Sequence, residues 1–163
     1  MIDIYDSEAI VKIYRLLAKK CDALDKFINN HAVYFSNNVL EGGALDVCNN
    51  IIELMTRKNK LINLKIIVDG AINNLSDKDK QIIYTKINYK ISMAELCLLL
   101  DIKERTAFRR IEHAYESLTQ QINKSKYLQK LENIINQEDW ILKIREEVKG
   151  RRLAYRTSEI NNL

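Results

Sequence analysis

From Ser7 to Val148 the apolar residues of this chain recur at intervals of three and four, and no proline interrupts them. A repeat near 3.6 residues gathers such side chains on one face of a helix, whereas a half-buried strand needs strict alternation. No convincing alternating run occurs. Only four glycines punctuate 163 residues, so the connections must be few and short. The expected fold is all-α.

The first helix is expected to start at Ser7, a candidate cap with Glu8 in the first turn. Ile10, Tyr14, Leu17, Cys21, Leu24 and Ile28 follow at alternating spacings of four and three. That seam suits a coiled coil or an ordinary helical hairpin, and its Tyr and Cys favour the hairpin. Asn29-Asn30 is the expected end. His31 to Gly43 reads as a connection, with Ser36-Asn37-Asn38 and Glu41-Gly42-Gly43 rich in turn formers. His31 has no partner at ligand spacing, so a surface or capping role is expected. A long helix should then span Ala44 to Ile72. Val47, Ile51, Leu54, Leu61 and Val68 make one stripe on it, and Ile52, Met55, Ile62 and Ile66 a neighbouring one. Together they are broader than one partner helix requires.

The stretch from Leu75 to Leu118 is the most informative. Ser76 can cap a helix whose first turn holds Asp77 and Asp79. Asn88-Tyr89-Lys90 reads as a break. Ser92 offers a second cap, with Glu95 at capping-box spacing. Leu96, Leu99 and Leu100 are expected to form the apolar face of this short helix, with Cys97 small enough for another helix to approach. Asp101 stands where the following turn needs a residue that tolerates positive φ, and Ile102 would plug that turn into the core. A third helix begins near Lys103. Ala107, Ile111 and Ala114 can face inward, leaving Glu104, Arg105, Phe108, Arg109 and Glu112 largely on the other side. A short helix, a turn and a helix with an arginine-rich outer face is the geometry that enters a major groove.

These residues carry a resemblance. Leu75-Ser76, Ile82-Ile83-Tyr84, Glu95-Leu96-Cys97, Leu100-Asp101-Ile102 and Arg105-Thr106 through Ala114 make residues 71–118 similar to region four of bacterial sigma factors, the domain that reads the promoter −35 element. The Arg-Thr-Ala-Phe-Arg-Arg run is closer still to short, phage-associated regulators built around such a module. Two positions depart from the pattern: Cys97 replaces the usual Ala of the second helix, and Asp101 the usual Gly of the turn. The resemblance implies a transcriptional regulator that binds double-stranded, promoter-like DNA and contacts RNA polymerase. It also implies that Glu104, Arg105, Phe108 and Arg109 read bases. Lys103, Arg110, His113 and Lys124 are then expected to hold phosphates, with Ser92 and Lys90 steadying the backbone. The resulting division is a helical N-terminal hairpin (1–70), a helix-turn-helix DNA-binding module (71–118) and C-terminal helices with a basic tail (119–163). The third helix is expected to continue past Leu118 and Ile122 towards Leu131 and Ile135. A break is expected at 136–139, then a last helix with Trp140 or Ile141, Ile144 and Val148 inward and Gly150 at its C-terminal cap. The tail 151–156 either touches phosphates or is a solvated terminus.

Charge supports the same reading. The net charge is +4, and residues 103–126 alone carry six basic and three acidic side chains, the modest footprint of a phosphate-binding surface. Ile, Lys and Asn make up 56 residues, a composition that fits an AT-rich bacterial or phage genome. Cys21, Cys48 and Cys97 are few, distant and unpaired in sequence, as expected of reduced, mostly buried thiols in a cytoplasmic, nucleoid-associated protein. Neither a secretory leader nor a membrane span is expected. No phosphate loop, zinc spacing or catalytic constellation is present, so neither enzymatic activity nor a cofactor is expected. Asp77 and Asp79 point in different directions on a helix. A monomer or homodimer is expected. The alternatives are a DNA-packaging subunit like the phage small terminase, which forms large rings, and a helical interaction protein that binds no DNA.

Overall fold

The computed structural model describes residues 1–37, 43–89 and 92–160, and every element in them is helical. In chain order these are α1 (Ile4–Asn37), α2 (Ala44–Asn73), α3 (Asp77–Asn88), α4 (Met93–Leu100), α5 (Glu104–Lys124), α6 (Leu128–Gln137) and α7 (Asp139–Ile160). The fold is all-α, as the periodicity requires. Two compact units divide the chain: residues 1–15 with 67–163, and residues 16–66.

In the larger unit, α3 packs on α5, and α4 and α6 also lie against α5. Ile82, Ile83 and Ile87 are buried from α3; Ala107, Ile111, Ala114, Leu118 and Ile122 are buried from α5. The alanines matter because they let neighbouring backbones approach α5 closely. The chain enters α1 one turn before Ser7. The Asp6 amide donates to Asp3 Oδ1 at 2.8 Å and the Asp3 amide to Asp6 Oδ2 at 3.1 Å, so two aspartates three residues apart satisfy each other's amides first. Ser7, the expected cap, is fully buried and shares a 2.7 Å hydrogen bond with the Thr119 hydroxyl. Buried Asp6 also accepts both Nε and Nη2 of Arg145.

The end of this unit differs from expectation in two places. α5 does not continue towards Leu131; it stops at Lys124. Ser125 turns the chain, its amide bonded to the Ile122 carbonyl at 3.0 Å and its hydroxyl accepting from the Tyr127 amide at 3.2 Å. The expected break before Asp139 is present, and buried Glu138 accepts from Trp140 Nε1 at 2.9 Å. Ile141 and Val148 are buried, as anticipated. α7, however, runs through Gly150 to Ile160. Its continuation is fastened by Arg152, which donates to Glu8 Oε2 at 2.7 Å and Glu112 Oε1 at 3.4 Å and lies over the rings of Tyr5 and Tyr115. Those anchors hold the helix where sequence alone suggested a cap.

The smaller unit is a pair of antiparallel helical segments. Lys58 of α2 donates to both carboxylate oxygens of Asp25 of α1, at 2.6 and 2.8 Å. Leu17, Leu24, Leu61 and Leu64 are buried, while Cys21, Ile28, Val47, Ile51 and Leu54 are only half-buried. Helix α1 does not end at Asn29-Asn30. Asn is a mild helix breaker, and the helix passes through to Asn37 with His31 Nδ1 bonded to the Phe27 carbonyl at 2.8 Å. The turn formers Asn38, Glu41 and Gly42 lie outside the described residues. Helix α2 matches its expected span within a residue. Of its two stripes one is buried or half-buried; the other, Ile52, Met55, Ile62 and Ile66, is exposed. The thiols are less buried than expected: Cys48 is exposed, and Cys21 and Cys97 are half-buried. Burial pushes the Cys21 thiol upward, against the opposing pull of Lys58. Among the described residues no helix is long and apolar enough to cross a membrane.

Candidate nucleic-acid interface

Three helices position the surface singled out by sequence. Ser76 caps α3: its hydroxyl accepts the Asp79 amide at 3.2 Å and donates to Asp79 Oδ2 at 2.8 Å. The Asp79 carboxylate is buried, and its other oxygen accepts from His113 Nδ1 of α5 at 3.0 Å. Burial alone would raise the Asp79 carboxyl, but the hydrogen bonds from His113 and Ser76 outweigh it and hold the group below the usual range. One carboxylate thus joins the start of α3 to the outer flank of α5.

Helix α4 has two turns, too few to be stable alone, and both its ends are closed by local chemistry. Ser92 and Glu95 form the expected capping box. The Ser92 amide donates to Glu95 Oε2 at 2.6 Å, and the Glu95 amide to Ser92 Oγ at 3.3 Å. The Ser92 amide first, and then the Ser92 hydroxyl, which donates to the same Glu95 oxygen at 2.9 Å, hold the Glu95 carboxyl below its ordinary range. At the other end Asp101 adopts φ 49°, ψ 51°. Its amide reaches the Leu98 carbonyl at 3.4 Å, and the Ile102 amide the Cys97 carbonyl at 3.1 Å. This is a Schellman closure with Asp where Gly is commonest. The apolar face of α4 is narrower than expected. Leu96 is completely buried and Leu100 half-buried, but Leu99 is exposed, as is Leu98. Leu96 and Leu100 are one turn apart in register, while α4 contacts chiefly α5, so a third leucine at Leu99 has nothing to pack against.

Helix α5 separates its two faces cleanly. Ala107, Ile111 and Ala114 are buried, as expected, and Glu104, Arg105, Phe108, Arg109, Arg110 and Glu112 are exposed. Glu104 with Phe108, and Arg105 with Arg109, are one turn apart, so the four expected base-reading side chains form two adjacent rows at the start of the helix. Phe108 remains 43% exposed, an aromatic ring kept in water between charged neighbours.

The expected phosphate contacts are less uniform. Lys103 and Arg110 are exposed beside these rows. His113 is braced by Asp79 and has only its remaining ring edge to offer. Ser92 is exposed, with its hydroxyl inside the capping box. Lys124 stands at the far end of a 21-residue helix, roughly 30 Å from Glu104 at 1.5 Å per residue, so it does not join the patch at the helix start. Lys90 lies outside the described residues. A residue that the sequence reading missed comes from α3. Lys78 lines a cleft of about 340 Å³ together with Arg109, Arg110 and His113, over the buried Asp79. Nothing in the local sequence pairs Lys78 with α5; the packing of α3 on α5 does. The tail arginine Arg152 is committed internally, and the side chains of Tyr155 and Arg156 lie outside the described residues.

No protein-family model, no curated protein and no solved structure matches this chain.

Proposed function

We propose that this chain is a sequence-specific DNA-binding transcriptional regulator that reads promoter-like duplex DNA with the first turns of α5 and contacts RNA polymerase. The observation that carries the DNA reading is the exposed double row of Glu104, Arg105, Phe108 and Arg109 on a helix whose opposite face is buried through alanines. The two-turn α4 and its left-handed Asp101 turn precede that helix. Each outward side chain has a matching base feature: arginine pairs bidentately with guanine, glutamate accepts from the cytosine amine, and phenylalanine packs on the thymine methyl. Lys78, Lys103 and Arg110 flank the rows and supply positive charge for phosphates. The polymerase contact rests on the resemblance to sigma region four alone.

The test is selection from randomised duplexes with the parent protein and with Arg105→Ala and Arg109→Ala. The parent should return one preferred sequence, and each variant should lose preference at a single base pair. The same preferred sequence at the same affinity from all three would overturn the assignment. Absence of duplex binding by the parent at low salt would overturn the DNA reading altogether.

A further inference from the structure

Helix α2 carries an exposed seam that the helix pair leaves uncovered. Leu45, Cys48, Ile52, Met55, Asn59, Ile62 and Ile66 succeed one another at spacings of three and four over three repeats, and all seven are exposed. Leu45 is 72% exposed, Ile52 60% and Ile66 61%. Leu45, Ile52, Asn59 and Ile66 occupy the a positions of a heptad; Cys48, Met55 and Ile62 occupy the d positions. Of the buried and half-buried residues, Ile51, Leu54, Lys58 and Leu61 fall on the c and g side of the same register and Leu64 at f, with half-buried Lys60 at b and Asn63 at e. The e side is Asn49, Thr56 and Asn63, polar throughout. The seam is therefore distinct from the face that meets α1.

We infer that this seam pairs with the same seam of a second copy of the chain, as a parallel, in-register, two-stranded coiled coil. Two features select that occupant. The single polar core residue, Asn59, is self-complementary: its amide offers both donor and acceptor, and in a parallel pair Asn59 meets Asn59 of the second copy. An apolar partner helix would leave that amide unsatisfied. Ile52 and Ile66 are β-branched at a, and two of the three d residues, Cys48 and Met55, are not β-branched, a distribution nearer to two strands than isoleucine at both a and d. Asn59 also favours parallel over antiparallel pairing: in the antiparallel register it would face Met55 of the second copy, and its amide would be left unsatisfied. The seam is roughly 33 Å long and about 10 Å across, a footprint of about 330 Å² on each copy, which puts the pair among small, transient interfaces below about 1,000 Å² in total. A reversible dimer is expected, not an obligate one.

Sedimentation equilibrium of the full chain, from about 1 μM to about 1 mM, should show a monomer–dimer equilibrium. Ile52→Glu combined with Ile66→Glu should weaken it about 100-fold or more by burying unpaired charge, without loss of helix by circular dichroism, since both positions are exposed in the protomer. Asn59→Ile should strengthen association about 10-fold or more, an effect that misfolding would not produce. Cys48 reports the register. Oxidised glutathione, accepting the two electrons and two thiol protons, should link the dimer through Cys48 of each copy, and Cys48→Ser should abolish the link. A chain monomeric throughout the range, or a dimer indifferent to the glutamate pair, overturns the proposal. A dimer that does not cross-link at Cys48 overturns the parallel register.

Discussion

Helices α5 and α2 are built alike on their inner sides and oppositely on their outer sides. Each buries a stripe at three- and four-residue spacing. The outer side of α5 carries Glu104, Arg105, Arg109 and Arg110 around Phe108; that of α2 carries Leu45, Ile52, Met55, Ile62 and Ile66 around Asn59. The first surface is stable in water as it stands and gains by meeting a polyanion. The second leaves apolar area in water, at about 25 cal/mol for each Å², and gains by packing against another apolar stripe. Exposure alone does not distinguish the two helices. The chemistry of what is exposed does.

The largest expected effect tests whether the outer stripe of α2 is uncovered within the protomer. Leu118→Ala, in the fully buried face of α5, should cost about 2–5 kcal/mol. Ile66→Ala should change stability by no more than about 0.5 kcal/mol when measured by urea unfolding of dilute monomer. Equal losses would mean that the α2 stripe is covered within the chain, and the comparison would collapse.

The outer face of α5 comes next. Arg105→Ala and Arg109→Ala should each lower affinity for the preferred duplex by about 1–3 kcal/mol while leaving thermal unfolding unchanged. If they unfold the protein instead, the arginines serve the fold and the contrast with α2 loses its basis.

The brace behind that face should be visible in pH dependence. Because Asp79 lies below the ordinary carboxylate range when folded, its contribution is complete above about pH 4 and is lost as pH falls through that range and below it. Asp79→Asn should therefore destabilise the protein by about 1–3 kcal/mol near neutrality, with the difference from the parent shrinking in acid. A difference that stays constant into acid would exclude the ionised Asp79–His113 contact as its source.

The smallest expected effect concerns the far end of α5. Lys124→Ala should leave base preference untouched. If Lys124 reaches a phosphate despite lying one helix length from the arginine rows, the salt slope of binding falls by about one unit. If the contacts are confined to the start of α5, as the geometry favours, the slope is unchanged.

Periodicity and capping chemistry made much of this protein legible in its sequence. Helix α2 was placed to within a residue, the Ser92–Glu95 box was anticipated from spacing, and Asp101 was identified as the left-handed residue of the turn. These features are local: a few neighbouring residues satisfy their own amides or share one face, whatever the rest of the chain does. The division of α5 into an alanine-lined inner face and a charged outer face was legible for the same reason. What the sequence could not supply depended on distant partners. Asp3 and Asp6 start α1 while Ser7 is consumed by Thr119. Helix α7 survives Gly150 because Arg152 meets Glu8, Glu112 and two tyrosine rings. His113 is drawn to Asp79, and Lys78 arrives beside Arg109 and Arg110, because α3 packs on α5. Above all, the sequence showed that α2 has more apolar surface than one partner helix can cover, but both stripes obey the same period. Only tertiary packing decided which stripe was buried and which was left facing water.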